Sequence, residues 1–226
     1  MDNKNKADIY IHSIMCFIGG FLGAYAIIHR VGNLGSAQTA NLILVVLSFL
    51  GHNLNEFILR VIGMILYFAG IEIFVYLSNK TKVNIKMYSV LVVMAGCIIL
   101  NFIPDTSDPV VGLLPLFFML STQWSVFHGA CGYNSSTIFS TNNFRQAALG
   151  IGEYLITRDK ANISKAKFFG NSLFWYHLGV LISFFACRFA NVHASLFCII
   201  PGCLSLFLIY KNEVNESFLV KEKTIA

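Results

Sequence analysis

Ala37-Gln38-Thr39-Ala40-Asn41 closes a polar break in an apolar chain, and 102 residues further on Phe139-Ser140-Thr141-Asn142-Asn143 closes another. Each Thr-x-Asn follows a long apolar segment and a stretch rich in Gly, Asn and Ser: HRVGNLGSAQ at 29–38 and HGACGYNSSTIFS at 128–140. Each opens a short apolar stretch. Further out, Tyr67-Phe68-Ala69-Gly70-Ile71 matches Tyr176-His177-Leu178-Gly179-Val180 at an offset of 109. The change of seven in offset fits an insertion in the longer basic loop of the second half. Two matches in one order around the same break predict a duplicated, multipass membrane protein. Paired interrupted hydrophobic segments are, in transporters, the best sequence pointer to a binding site.

Composition agrees. Hydrophobic residues make up 56% of the 226 and charged residues 12%, and mean hydropathy is +0.68. A soluble domain carries about 25% charged residues, so this chain cannot cover a water-facing surface. The lipid bilayer is its expected solvent and first partner. One membrane domain over 1–226 is expected, with repeat halves at 9–103 and 110–210 and a charged tail at 211–226. The polar N-terminus leads into an apolar segment longer than a signal-peptide core, which reads as a retained helix. The six cysteines lie mostly in apolar runs and form no C-x-x-C pair, as expected of small buried hydrophobes. The net charge of +5 sits at segment ends, not on an aromatic-interleaved face, so no nucleic-acid partner is expected.

Six spans are expected, near 9–28, 57–77, 87–103, 110–127, 168–189 and 194–210. Residues 39–50 and 141–156 are too short to cross as helices and read as re-entrant half-helices. The predicted class is therefore all-α integral membrane, with six transmembrane helices and two half-helices in an inverted 3+3 repeat. Lysine and arginine placement sets the orientation. If the short stretches re-enter, the first tail, loops 78–86 and 157–167 and the last tail share one side. That side carries twelve Lys or Arg, against Arg188 alone on the other, leaving out Arg30, Arg60 and Arg145 in breaks and spans. Both termini are then cytoplasmic. If the short stretches crossed, the bias would collapse.

A broken helix in lipid exposes backbone groups that must be buried in protein or face a wet cavity. Thr39 and Thr141 stand where N-caps belong. Asn41 and Asn143 offer amides just inside each start, and Gln38 and Ser140 extend the polar set. Two positive half-helix ends meeting near the midplane would suit an anion or a carbonyl-bearing solute. Arg145, in the first turn of the second half-helix, would add a full charge. Gln123 points to the same cavity from the fourth span. The alternative is that these side chains only cap and glue helices. Glu72, His177 and Arg30 are candidates for ion coupling. Glu72 lies about 8 Å from the expected inner end of its span, so an interfacial role competes. At His177 a hydrogen-bonded packing role outweighs a proton relay, while Arg60 is expected to snorkel. Gly19, Gly20 and Gly23 favour close helix contact. No nucleophile–base pair, phosphate-binding Gly loop or metal-ligand spacing occurs, so no catalytic residue, metal or cofactor is expected.

These residues carry a resemblance. GGFLGAYAIIHRVGNLGSAQTANLILVVLS at 19–48 resembles the first half of the YoaK-like family of uncharacterised bacterial multipass inner-membrane proteins. STQWSVFHGACGYNSSTIFSTNNFRQAALGIGEYL at 121–155 resembles its second half. The resemblance implies a bacterial plasma-membrane protein with about six spans, and no function. Family members often have Asp-Ala where this chain has Gly23-Ala24, and Thr-Gly-Asn where it has Thr39-Ala40-Asn41 and Thr141-Asn142-Asn143. The expected function is a small secondary transporter or channel for a polar, anionic solute held between the half-helix starts. Its rival is a non-transporting scaffold, sensor or assembly partner, with an enzyme acting on lipid third. A homo-oligomer is compatible with either.

Overall fold

The structure is a computed structural model that describes the backbone of residues 3–225 and the side chains of residues 6–214. It is built of helices: α1 (Asn3–His29), α2 (Gln38–Leu50), α3 (Leu54–Lys80), α4 (Ile85–Asn101), α5 (Pro109–Val126), α6 (Thr141–Thr157), α7 (Lys160–Ala190) and α8 (Ile199–Ile225). A 3-10 helix, Asn191–Cys198, joins α7 to α8, and Asn191 breaks the run with a φ of 53°. Between α5 and α6 lies a small antiparallel hairpin, β1 (Gly129–Ala130) with β2 (Tyr133–Asn134). The sequence reading did not foresee it. Gly132 at its turn has a φ of +81°, where a side chain would be strained.

Among the described residues, four helical stretches are long and apolar enough to cross a membrane: Lys6–His29, Leu54–Lys80, Pro109–Val126 and Lys160–Val214. Gln38–Leu50 and Ile85–Asn101 are shorter apolar helices. The chain is therefore an all-α protein of membrane type. Two expected loops are shorter than charge suggested. Residues 81–84 alone separate α3 from α4, and α7 begins at Lys160. There Arg158 closes α6 in the left-handed region, while the Asp159 carboxylate accepts from the Ala161 N–H and caps α7. Lysine-rich sequence after a cap continues as helix. The expected tail at 211–226 likewise continues α8 as far as Ile225.

Packing places α1 at the centre. Its apolar side chains, among them Met15, Ile18, Phe21, Leu22 and Tyr25, are buried. It crosses α7 closely: a Cβ on Gly20 would sit 1.9 Å from the Tyr176 carbonyl oxygen, and one on Gly179 would sit 2.1 Å from that of Phe17. Only glycine allows such backbones to meet. α3 lies against α5 in the same manner, with Gly70 facing the Phe118 carbonyl and the Ser121 hydroxyl. α2 lies on α3, α6 on α7, α4 on α5, and α8 on α1 and α4. Many large side chains on the outer faces of α2, α3 and α7 are exposed, such as Phe49, Phe68 and Phe174.

Candidate functional site

The short helices α2 and α6 begin with the same latch. The Asn41 side-chain N–H group donates to the carbonyls of Leu34 (3.2 Å) and Ala37 (3.1 Å). That of Asn143 donates to the carbonyls of Ser136 (2.7 Å) and Phe139 (3.3 Å). In both cases the acceptors lie seven and four residues back. Each asparagine thus ties the first turn of its helix to the carbonyls of the preceding break, groups that lipid would leave unpaired. Asn41 and Asn143 are both buried.

The latches differ in what holds their side-chain oxygen. Asn41 Oδ1 accepts from Arg60 Nη1 at 3.4 Å, and Asn33 Oδ1 from Arg60 Nη2 at 3.5 Å. Arg60 is itself buried and paired with Glu56, one turn earlier on α3, at 2.6 Å. It therefore organises the first break and does not snorkel. Asn143 Oδ1 accepts from the Ser135 hydroxyl at 3.0 Å, and Ser135 Oγ is 3.0 Å from His12 Nε2 and 3.2 Å from Ser172 Oγ. This second network lies wholly inside the protein.

The threonines do not cap. α2 begins at Gln38 after Ala37, α6 begins at Thr141 after Ser140, and neither preceding residue makes a side-chain cap bond. Thr39 and Thr141 are exposed, as is Arg145, while Gln38 and Ser140 are half-buried. The N–H groups of both first turns therefore lack the side-chain acceptor the sequence suggested. The physical reason is that the polar anchor at each start reaches backward to carbonyls, from the third position of the Thr-x-Asn.

Gln123 is fully buried, its amide donating to the Met15 carbonyl (2.9 Å) and the Thr137 hydroxyl (3.2 Å). Its Oε1 has no partner among the described residues. Arg30 is also fully buried, but at the far end of α4: it donates to the carbonyls of Ile103 (3.1 Å) and Pro104 (3.0 Å). Its guanidinium lies over Gly112, and beside it His29 pairs with Asp105 at 2.8 Å. Arg30 thus ties α1 to the connection between α4 and α5. Glu72 and His177 face outward on α3 and α7, and His177 Nδ1 donates to the Leu173 carbonyl at 2.8 Å. The starts of α2 and α6 thus lie in separate clusters that, among the described residues, share no hydrogen-bonding residue. A cleft of about 410 Å³ lies elsewhere, among Asp8, Lys82, Asn84, Lys86 and Glu213.

Six residues of these clusters escaped sequence reasoning: His12, Asn33, Ser135, Thr137, Ser172 and the Glu56 partner of Arg60. Ser135 had a signal, since it stands 102 residues after Asn33, which meets Arg60 in the first half. His12 had none. At the hairpin turn, partial burial and the Asp8 carboxylate push the Cys131 thiol up from its ordinary range.

Fold and latches define a helical protein of membrane type with two interrupted, internally tied segments. The family model described as protein of unknown function (DUF1275) matches residues 11–210, and the chain belongs to that family, as the YoaK-like resemblance implied. Comparison with curated proteins and with solved structures finds no match.

Proposed function

We propose that this protein is a small secondary transporter or channel of the bacterial plasma membrane for a polar, anionic solute. Six spans and two re-entrant half-helices form an inverted repeat, with both termini cytoplasmic. The observation that carries this reading is the repeated latch, in which Asn41 and Asn143 use the same donors on carbonyls at the same spacing. Packing supports the repeat, because α1 against α7 is mirrored by α5 against α3, and α2 on α3 by α6 on α7. Duplicated broken helices are the architecture in which transporters bind solutes.

The solute's contacts are the uncapped first-turn N–H groups, Thr39, Thr141 and Ser140, with Arg145 supplying positive charge. Separate clusters correspond to a closed conformation, and rocking of the halves brings the starts to the solute. The test is a thermal-shift screen of purified protein against small anions and neutral polar solutes, followed by uptake into proteoliposomes. A ligand at 100 times its Kd should stabilise by about 2.7 kcal/mol. Arg145→Ala should abolish uptake while leaving expression intact; unchanged uptake removes Arg145 from the site. A second reading, a non-transporting assembly partner, is favoured by one observation: both latch amides are spent on internal carbonyls. Well-folded protein that responds to no solute in the panel would select it.

A further inference from the structure

The hydrogen-bond directions around His12 fix its protonation. Asn143 directs its amide hydrogens to Ser136 and Phe139, so its Oδ1 can only accept. The Ser172 hydroxyl donates to the Phe168 carbonyl at 3.2 Å, so toward Ser135 it too is an acceptor. The single Ser135 hydrogen therefore points away from His12, and Ser135 accepts from His12 Nε2–H. His12 is 2% exposed, and its Nδ1 is left as a bare lone pair without a partner among the described residues. The opposite tautomer would orphan two buried groups, the Nδ1 hydrogen and Asn143 Oδ1, in place of one.

We propose that His12 Nδ1 is a proton-binding site, and that loading it releases residues 135–143, the end of the second break and the start of α6, from α1. Its surroundings make charge and closure incompatible. The ring stacks on Phe168, centroids 5.6 Å apart and planes 24° apart. On α1 itself the titratable groups one turn to either side are Asp8, paired with Lys86 of α4 at 2.8 Å, and Cys16. The segment after α5 presents His128, and the hairpin carries Cys131, beside Asp8, and Tyr133, whose ring meets Phe168. On α6 and α7 stand Arg145, Lys167 and the Glu153–Lys165 pair at 3.8 Å, and on α8 Glu213. Among the described residues no carboxylate hydrogen-bonds the ring. An imidazolium in this setting is a buried charge without a counter-ion, which is strongly unfavourable. A conformation that opens the segment to water accommodates it. The open form therefore binds the proton and the closed form does not, so acid shifts the population toward opening. Opening frees the first turn of α6, and the proton becomes the coupling ion for the solute. That last link rests on the transport reading above; proton binding itself does not.

The experiment is hydrogen exchange by mass spectrometry on detergent-purified, solute-free full-length protein, with protection of 135–143 corrected for intrinsic exchange. In the native chain, protection should fall at least about tenfold between about pH 8 and pH 4.5. His12→Gln keeps a donor for Ser135 but cannot take a proton, and its protection should not vary with pH. His128→Gln should behave like the native chain. Ser135→Ala keeps the imidazole but removes its tether, and should be weakly protected throughout, which retains a test if His12→Gln does not fold. PH-independent protection in the native chain, persistence of the response in His12→Gln, or its loss in His128→Gln would each overturn the proposal. Since no solute is present, a protein that transports nothing can still pass, and a transporter can still fail.

Discussion

The buried asparagines and the exposed threonines of the two Thr-x-Asn motifs carry different loads. Asn143 satisfies two carbonyls and accepts the Ser135 hydroxyl in a fully buried site. Asn143→Ala strips all three partners, and leaving buried polar groups unpaired costs about 1–3 kcal/mol. Thr141→Val alters an exposed side chain that caps nothing, which falls within about 0.5 kcal/mol. Thermal denaturation in detergent should therefore show a clear drop in Tm for Asn143→Ala and almost none for Thr141→Val. Equal drops would mean that the threonine, not the amide, holds the start. If solute uptake is found, the pair separates roles: Thr141→Val should impair it without loss of Tm. The sequence made Thr-x-Asn conspicuous but not its division of labour. A side chain reaching seven residues back depends on how the break curls, and no local propensity encodes that. His12 was less legible still, since its hydroxyl partner lies 123 residues away.

Helices were legible where apolar length alone decides them and less so where charge and length compete. α1, α3 and α5 cover the expected spans, and α2 and α6 the expected short stretches. The start of α7 was misplaced because Lys160, Lys165 and Lys167 read as a loop, while the Asp159 cap fixes the helix from Lys160 onward. How the helices meet was legible only in part: glycines marked close contact on α1 but not the partner. The structure supplies it, and a graded prediction follows. Gly179 meets the Phe17 carbonyl where α7 crosses α1, whereas a Cβ on Gly170, nine residues earlier on α7, would have nothing within 4 Å. Overpacking a crossing costs about 1–3 kcal/mol, occasionally more, and here the obstructing atoms are backbone, which cannot rotate away. Gly179→Ala should thus sharply lower the yield of folded protein. Gly170→Ala should be neutral or stabilise by up to about 1 kcal/mol through helix propensity. Size-exclusion profiles and Tm of the two variants check the contrast, and a well-folded Gly179→Ala would contradict the crossing.

For the molecule as a whole, the decisive quantity is which face each connection occupies, because inversion of the halves depends on it. α1 and α3 are both full-length, while α2 between them has 13 residues, about 20 Å at 1.5 Å per residue. That is short of the roughly 30 Å hydrocarbon core. If α2 and α6 return to the face they left, residues 51–53 and 102–108 lie outside and residues 81–84 and 158–159 inside. The lysines that flank the inner connections then obey the positive-inside bias. If either short helix crossed, every later connection would change sides. Single cysteines in a chain whose native cysteines are replaced by serine decide between these arrangements. Leu54→Cys and Thr106→Cys, both at exposed positions, should react with a membrane-impermeant maleimide in intact cells. Lys82→Cys and Lys160→Cys should react only after permeabilisation. Labelling of Lys82→Cys in intact cells would mean that α2 crosses and would dissolve the inverted repeat. Labelling of Lys160→Cys alone would keep the first half and require α6 to cross. With the predicted pattern, the two half-helices enter from opposite faces, which is the geometry alternating access needs.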